Sequence, residues 1–130
     1  MAVGYLSQNA LARCLEQGRT VEQWLGTRVE RGDEVLKWAS IERLRAGNTI
    51  VRVLEVWNEG NPDFLDVYEF TPYDADAESG TVVECDSSEQ ALQYVLSRLG
   101  GNREHFVQRG GIQDIYAEHL ERRVEPSQDG

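Results

Sequence analysis

Apolar residues near the N-terminus recur at intervals of three and four, which is the spacing of one helix face. A first helix is predicted over residues 7–17, because Ser7 can cap its N-terminus. Its apolar positions are Leu11, Cys14 and Leu15. A second, short helix is predicted from Thr20, and Gly26 and Gly32 are expected to end it because glycine disfavours helix interiors. The apolar positions of this second helix are Val21, Trp24 and Leu25.

The clearest helical pattern lies in the C-terminal third of the chain. Ser87 and Gln90 have the spacing of a capping box, and a continuous apolar stripe follows them up to a pair of glycines. The stripe consists of Ala91, Leu92, Val95, Leu96 and Leu99. Asn102 can cap a further helical turn through residues 105–107, and a last helix is predicted over residues 112–123.

β-branched residues concentrate in the middle of the chain, and residues 49–57 carry the strongest strand signal. A tight-turn signal at residues 46–48 precedes them. A strand is therefore predicted over residues 35–43 as the hairpin partner, although its apolar residues repeat every three positions, as in a helix. Two more strands are predicted over residues 64–71 and 81–85.

These elements predict an α+β fold. The connections between strands are too short for parallel crossovers, so the sheet is expected to be an antiparallel meander of three to four strands. Helices from the N- and C-terminal parts would pack on it in two layers. We expect one domain over residues 1–124 and a flexible tail over residues 125–130.

The net charge of −10 is concentrated in one part of the chain. Between Val53 and Ser97 there are 45 residues with eleven acids and no Lys, Arg or His, whereas the rest of the chain has twelve acids against all thirteen basic residues. Such crowding of like charges opposes folding unless the surface is well solvated or meets a positive partner. It also argues against binding to nucleic acid or to an anionic membrane surface, which need clustered basic residues.

The ends of the chain and its cysteines suggest a cytoplasmic protein. The first residues have neither the basic nor the apolar region of a secretory signal, and no apolar run reaches the roughly 18 residues of a membrane span. Cys14 and Cys85 are too few for a disulfide framework or a zinc site, so both are expected to be reduced.

No catalytic or cofactor motif emerges, and we expect neither an enzyme nor a cofactor. Asp74, Asp76 and Glu78 alternate as in the first half of a calcium-binding EF-hand loop, but the later positions of that loop do not match, so no metal site is predicted. The two histidines, His105 and His119, have no Ser or Cys close by in sequence and are expected to be ordinary surface or half-buried helix residues.

The acids are interleaved with aromatic residues, and this combination is typical of a protein-binding surface. On the strand predicted over residues 64–71, each face mixes acidic with apolar residues, so the alternation does not say which face is buried. The predicted partner-binding residues are Trp57, Glu59, Asp63, Asp66, Tyr68, Glu69, Tyr73, Asp74, Asp76 and Glu78.

The C-terminal third carries a resemblance to a known group of proteins. It lies in the Ser-capped helix with residues 90–96, Gln-Ala-Leu-Gln-Tyr-Val-Leu, and in residues 106–116, Phe-Val-Gln-Arg-Gly-Gly-Ile-Gln-Asp-Ile-Tyr. With the order of elements, the size and the acidity, this resembles small immunity proteins of bacterial contact-dependent inhibition and polymorphic toxin systems. The resemblance implies a cytoplasmic inhibitor that binds the toxic domain of a cognate effector, often a nuclease with a basic cleft.

The sequence therefore predicts a non-catalytic, acidic protein-binding module, an immunity protein that covers a basic surface of its toxin. Two alternatives remain open. One is an inhibitor that mimics nucleic acid, whose acids would be spaced like phosphates. The other is a small regulatory domain that self-associates through an exposed sheet face.

Overall fold

A computed structural model describes residues 3–77 and 79–128 of the chain. Its helices are α1 (Gln8–Glu16), α2 (Ser88–Arg98) and α3 (Ile112–Gln128). Its strands are β1 (Val21–Glu30), β2 (Asp33–Arg43), β3 (Thr49–Trp57), β4 (Thr81–Cys85) and β5 (Val107–Gln108). Two single 3₁₀ turns, Val67–Glu69 and Ala75–Ala77, lie in the long connection between β3 and β4.

The five strands form one sheet in the order β4-β3-β2-β1-β5. Every pairing is antiparallel. The predicted α+β class, the antiparallel meander and the strands β2, β3 and β4 are confirmed. The number of strands is five rather than three to four, because β1 and the two-residue β5 were not predicted as strands and the strand predicted over residues 64–71 does not form.

The short helix predicted from Thr20 is wrong, since these residues form β1. Its apolar positions have helical spacing because both faces of β1 are covered, so that Val21 and Leu25 pack in the cluster with α1 and α2, whereas Trp24 packs in the cluster with α3. The first glycine, Gly26, follows a bulge, where the register with β2 shifts between Trp24 and Gly26. The second glycine, Gly32, belongs to a two-residue hairpin. Arg31 and Gly32 both have positive φ, as a type I′ turn requires. Both glycines that were expected to end a helix therefore shape a strand and its turn.

The strand predicted over residues 64–71 is also wrong. The Asp66 side chain accepts a hydrogen bond from the Tyr68 amide and caps the 3₁₀ turn Val67–Glu69. Val67 and Phe70, three residues apart, are buried, while Phe64 and Tyr68 are each 40 % exposed. The mixture of acidic and apolar residues therefore reflects a turn that buries two side chains rather than a strand with two faces.

The three helices predicted from residues 7, 87 and 112 are confirmed, whereas the helical turn predicted through residues 105–107 is wrong because Val107 begins β5. Ser7 accepts a hydrogen bond from the Ala10 amide at the start of α1, and Ser87 accepts one from the Gln90 amide at the start of α2. Helix α3 begins at Ile112 as predicted but continues to Gln128, beyond the predicted end at Arg123. The predicted tail overlaps the end of α3 in residues 125–128, and residues 129 and 130 lie outside the described residues.

The sheet is covered on both faces, so the predicted two layers become three. On the first face, buried side chains of the strands pack against α1 and α2. On the second face, others pack against α3 and the connection that contains Val67 and Phe70. We call these the α1–α2 face and the α3 face. Strand residues of the α1–α2 face are Val21, Ala39, Ile41 and Val51, and those of the α3 face are Leu36, Trp38 and Val56.

Candidate functional site

The predicted binding residues lie mainly in the connection between β3 and β4, and residues 58–77 of it are called the acidic segment here. The segment leaves β3, passes over the α3 face and then returns to the outer side of β3. There the Trp57 amide donates to the Thr71 carbonyl oxygen and the Tyr73 amide donates to that of Glu55. The later part of the segment is therefore held beside the end of β3.

Two of the predicted binding acids hold the segment together. Glu59 accepts hydrogen bonds from the Thr71 amide at 2.6 Å and from the Thr71 hydroxyl at 2.7 Å. Asp66 caps its 3₁₀ turn and accepts a hydrogen bond at 3.1 Å from the Gln113 side chain of α3. These two carboxylates fix the path of the chain, so their replacement would disturb the fold as well as the surface.

The other predicted acids are exposed. Asp63, Glu69, Asp74 and Asp76 lie on the surface of the acidic segment, and Asp74 also accepts a hydrogen bond from the Asp76 amide. Among the residues that the structure describes, none of these four carboxylates forms an ion pair. The seventh predicted binding acid, Glu78, lies outside the described residues.

The predicted aromatic residues fall into two places. The rings of Trp57 and Tyr73 lie 5.3 Å apart, and the Arg28 guanidinium lies 4.7 Å from the centre of the Tyr73 ring. Arg28 also pairs with Glu55 of β3. Tyr68 is separate, because it stands on the α3 face, edge-on to Trp38. Trp57 and Tyr73 thus border the acidic segment, whereas Tyr68 belongs to a second site.

The second site is a cleft of about 350 Å³ on the α3 face, which we call the polar cleft. Its floor is a row of polar residues on three neighbouring strands, where Glu22 stands opposite Ser40 and Ser40 stands opposite Arg52. The remaining lining comes from Thr20, Trp38, Glu42, Leu54, Tyr68, Ser79 and Arg109. Its size falls within the usual range of small-ligand sites.

Glu42 is the well-compensated carboxylate of this cleft. Arg52 donates to it through Nε at 2.8 Å and the Ser40 hydroxyl donates at 2.6 Å. Burial favours the neutral form of Glu42, but the hydrogen bonds from Arg52 and Ser40, together with the positive charge of Arg52, outweigh it and lower the pKa. Arg52 also donates to the Ser79 carbonyl oxygen, so its guanidinium is fully engaged.

Glu22 is in the opposite situation, although it is only 4 % exposed. Its Oε1 atom accepts hydrogen bonds from the Tyr68 hydroxyl at 2.7 Å and from the Gly110 amide at 2.9 Å. Burial raises the pKa of Glu22 despite these two donors and the positive charge of Arg109. Burial and the bond to Glu22 likewise raise the pKa of Tyr68.

The second oxygen of Glu22 faces the cleft. In the described part of the chain, Oε2 accepts no hydrogen bond and the carboxylate forms no ion pair. Among the described residues, every side-chain nitrogen or oxygen that is fully buried has a hydrogen-bond partner, so an oxygen without a partner has some accessible surface. Oε2 is therefore not sealed in the interior, and the solvent-accessible space beside it is the polar cleft.

The sequence analysis missed this cleft. Its signal is the change from apolar to polar along one face of β2, where Leu36 and Trp38 are followed by Ser40 and Glu42. Predicting the cleft requires β1 to be recognised as a strand, because only then does Glu22 lie beside Ser40. Since residues 20–25 were predicted as a helix, this pairing was not predicted.

A larger cleft of about 470 Å³ lies between α1 and the start of α2. Its lining includes Arg43, which donates to the carbonyl oxygens of Leu15 and Glu16 and so caps the end of α1. That guanidinium stabilises the helix, and we regard this cleft as a groove between two packed helices.

The histidines have structural neighbours. His119 lies on α3, with Nε2 at 3.0 Å from Glu34 Oε2, and Glu34 also accepts a hydrogen bond from the Asn58 side chain. His105 is exposed beside the ring of Tyr5. Neither histidine lines the polar cleft.

The described residues contain no group of three or more side chains that could hold a metal ion. Both cysteines are free. No helix within residues 3–77 and 79–128 has the length and apolar character needed to cross a membrane.

Comparison with protein-family models, with curated proteins and with solved structures finds no significant match to this chain.

Proposed function

We propose that this chain is a non-catalytic protein-binding module, and specifically an immunity protein that neutralises a cognate toxin by covering a basic surface. The observation that carries the proposal is the group of exposed carboxylates in the acidic segment that have no ion pair within the described chain, Asp63, Glu69, Asp74 and Asp76. Their uncompensated charge would be neutralised by a basic partner.

The internal bonds of the segment support the proposal because they prepare the surface in advance. Glu59 fixes Thr71, and Asp66 fixes the 3₁₀ turn and α3. A segment held in this way loses little conformational freedom when it binds. The half-exposed rings of Phe64 and Tyr73 at its surface are the type of residue that provides affinity in protein interfaces.

In this proposal the acids act mainly on the rate of encounter. A negative surface attracts a basic partner over about one Debye length and raises the association rate, while the aromatic rings slow dissociation. For a nuclease toxin, the carboxylates would occupy the basic cleft that otherwise holds nucleic-acid phosphates.

The test uses the product of the adjacent open reading frame as the candidate toxin. Its toxic domain is produced in a sensitive bacterium with and without this protein, and growth is recorded. Binding of the two purified proteins is then measured by surface plasmon resonance at 20 and 200 mM salt. We expect rescue of growth and an association rate that falls steeply with salt.

Charge reversal identifies the surface. The triple variant Asp63→Lys, Glu69→Lys and Asp76→Lys changes only exposed acids and leaves Glu59 and Asp66 in place. The matched control, Glu16→Lys, Glu104→Lys and Glu121→Lys, makes the same change of charge at exposed positions outside the segment. We expect the first variant to lower the low-salt association rate at least tenfold relative to the control. Equal rates for both variants would remove the acidic segment from the proposal.

The two alternatives make different predictions. An inhibitor that mimics nucleic acid would compete with DNA for many unrelated DNA-binding proteins, rather than for one toxin. Self-association through a sheet face has less surface available than expected, because helices cover both faces of the sheet. Light scattering of the purified chain distinguishes a self-associating domain from a monomeric inhibitor.

A further inference from the structure

We propose that the polar cleft binds a primary ammonium group, which the open Oε2 atom of Glu22 accepts beside the half-exposed ring of Tyr68. This inference goes beyond the proposed function and does not depend on it, because none of the exposed acids of the acidic segment lines the cleft.

The charge of Glu22 is only partly compensated. A carboxylate that is only 4 % exposed loses much of its hydration, and this is unfavourable unless a cation or several donors replace the water. Glu22 has two neutral donors, both on Oε1, and no ion pair among the described residues. A cation placed at Oε2 would supply the missing compensation.

The geometry of the Glu22 carboxylate favours an ammonium over a guanidinium. Only one carboxylate oxygen of Glu22 is open, so the bidentate contact that favours a guanidinium is not offered. An ammonium is a compact point charge that needs a single strong acceptor. The ring of Tyr68, which is 40 % exposed, adds aromatic surface for the carbon chain beside the cation, and the buried ring of Trp38 supports it edge-to-face at 5.8 Å. One accessible ring is fewer than the cage that holds quaternary ammonium groups.

The other charged residues around the cleft are Glu42, Arg52 and Arg109. The charge of Arg52 is taken up by Glu42, to which it donates two hydrogen bonds. Arg109 is exposed and lines the cleft without a hydrogen bond to another described residue. Its positive charge opposes a bound cation, but it can also pair with a carboxylate. The ammonium can therefore come from a lysine side chain of a partner or from a free amino acid, and Arg109 distinguishes the two sources.

The experiment titrates the full-length chain with Nα-acetyl-L-lysine amide and follows the backbone amide of Gly110 by NMR. This amide donates to Glu22, so it reports directly on the site. The matched probe is the same compound acetylated on Nε, which has no positive charge. We expect a saturable shift of the Gly110 signal with the first probe only. Equal shifts with both probes would overturn the proposal.

Variants assign the effect to Glu22. Glu22→Gln keeps the shape and the acceptor oxygen but removes the charge, and we expect at least a tenfold loss of affinity. Glu84→Gln removes an exposed acid from neighbouring β4 that does not line the cleft, and we expect no change. Circular dichroism establishes that both variants fold. Unchanged affinity in a folded Glu22→Gln variant would overturn the proposal.

Arg109→Ala identifies the source of the ammonium. For Nα-acetyl-L-lysine amide, which has no carboxylate, we expect affinity to rise two- to fivefold because a repelling charge is removed. For free L-lysine or another amino acid, whose carboxylate can pair with Arg109, we expect affinity to fall. An Arg109→Ala variant that leaves both affinities unchanged would place the cation away from the cleft and contradict the proposal.

Discussion

The two faces of the sheet differ in how completely they are covered. On the α1–α2 face, the strands present aliphatic side chains to two helices, and a continuous core results. On the α3 face, the helix covers Leu36 and Trp38, but the same strand continues with Ser40 and Glu42, which line an open cleft. The carboxylates with shifted pKa values, Glu22 and Glu42, lie where the covering layer ends, because incomplete burial removes part of their hydration while neighbouring groups still donate to them.

The largest expected effect compares an aliphatic residue from each face. Ile41 is buried in the core of the α1–α2 face, and Ile41→Ala should lower the free energy of unfolding by about 2–5 kcal/mol. Leu54 lines the open cleft, so Leu54→Ala creates no new sealed cavity and should cost clearly less. Urea denaturation of both variants measures the difference. Equal losses would mean that the cleft is as closed as the core.

The second prediction concerns the part of the α3 face that the acidic segment closes. A methyl group at Gly60 would lie 2.5 Å from the Phe64 carbonyl oxygen, the Phe70 ring and the Tyr116 hydroxyl. Gly60→Ala should therefore destabilise the protein by about 1–3 kcal/mol through overpacking. Gly4→Ala is the control, because a methyl group there meets no atom within 4 Å. A thermal melt that is the same for both variants would show that the segment is loosely packed.

The third prediction separates the two carboxylates of the polar cleft by pH. The lowered pKa of Glu42 means that its stabilising effect is present above its unfolded pKa and is lost as pH falls through the folded value. Glu42→Gln should therefore cost about 1–2 kcal/mol at pH 7, since it removes hydrogen bonds to a charged group, and less at pH 3.

Glu22 should behave in the opposite way, because burial raises its pKa. The folded state then holds the proton more tightly than the unfolded state, so stability falls as pH rises from the unfolded pKa to the folded one. Glu22→Gln removes this loss, so the free energy of unfolding of the variant minus that of the natural protein should increase as the pH rises from 4 to 7. The other charged or titratable groups around the cleft, Tyr68, Arg109, Glu42 and Arg52, are the same in both proteins. Urea denaturation at the two pH values gives the sign, and a loss in place of the gain would contradict the assigned shift.

The smallest expected effect is that of Tyr68→Phe. The phenol is 40 % exposed and its hydroxyl donates one hydrogen bond to Glu22, so its removal should cost about 0.5–1.5 kcal/mol. It also takes one donor from Glu22 and should raise the pKa of that carboxyl further. Tyr73→Phe is the control, since Tyr73 has similar exposure but stands beside Arg28 and away from the cleft. Equal stability of the natural protein and Tyr68→Phe would show that the hydroxyl bond adds nothing.

The sequence predicted those elements whose signals are local. The serine caps of α1 and α2 and the β-branched residues of β3 act within a few positions, and all three elements are confirmed. β1 was missed because its apolar residues lie on both faces of the strand and so have helical spacing, and β5 because two residues carry no periodicity. The exposed acids could be located from composition alone. The polar cleft could not, since Glu22, Ser40 and Arg52 are brought together only by strand pairing across the sheet.

Two adjacent side chains of β1 have a consequence for the order of folding. Glu22 receives the Gly110 amide across 88 residues of chain, and Gln23 donates to the Asn102 carbonyl oxygen across 79. The hairpins that join β1 to β2 and β2 to β3 need loops of only a few residues, and such short loops close sooner than long ones. The meander can therefore form first, and residues 102–110 would then form their hydrogen bonds to β1 in a late step.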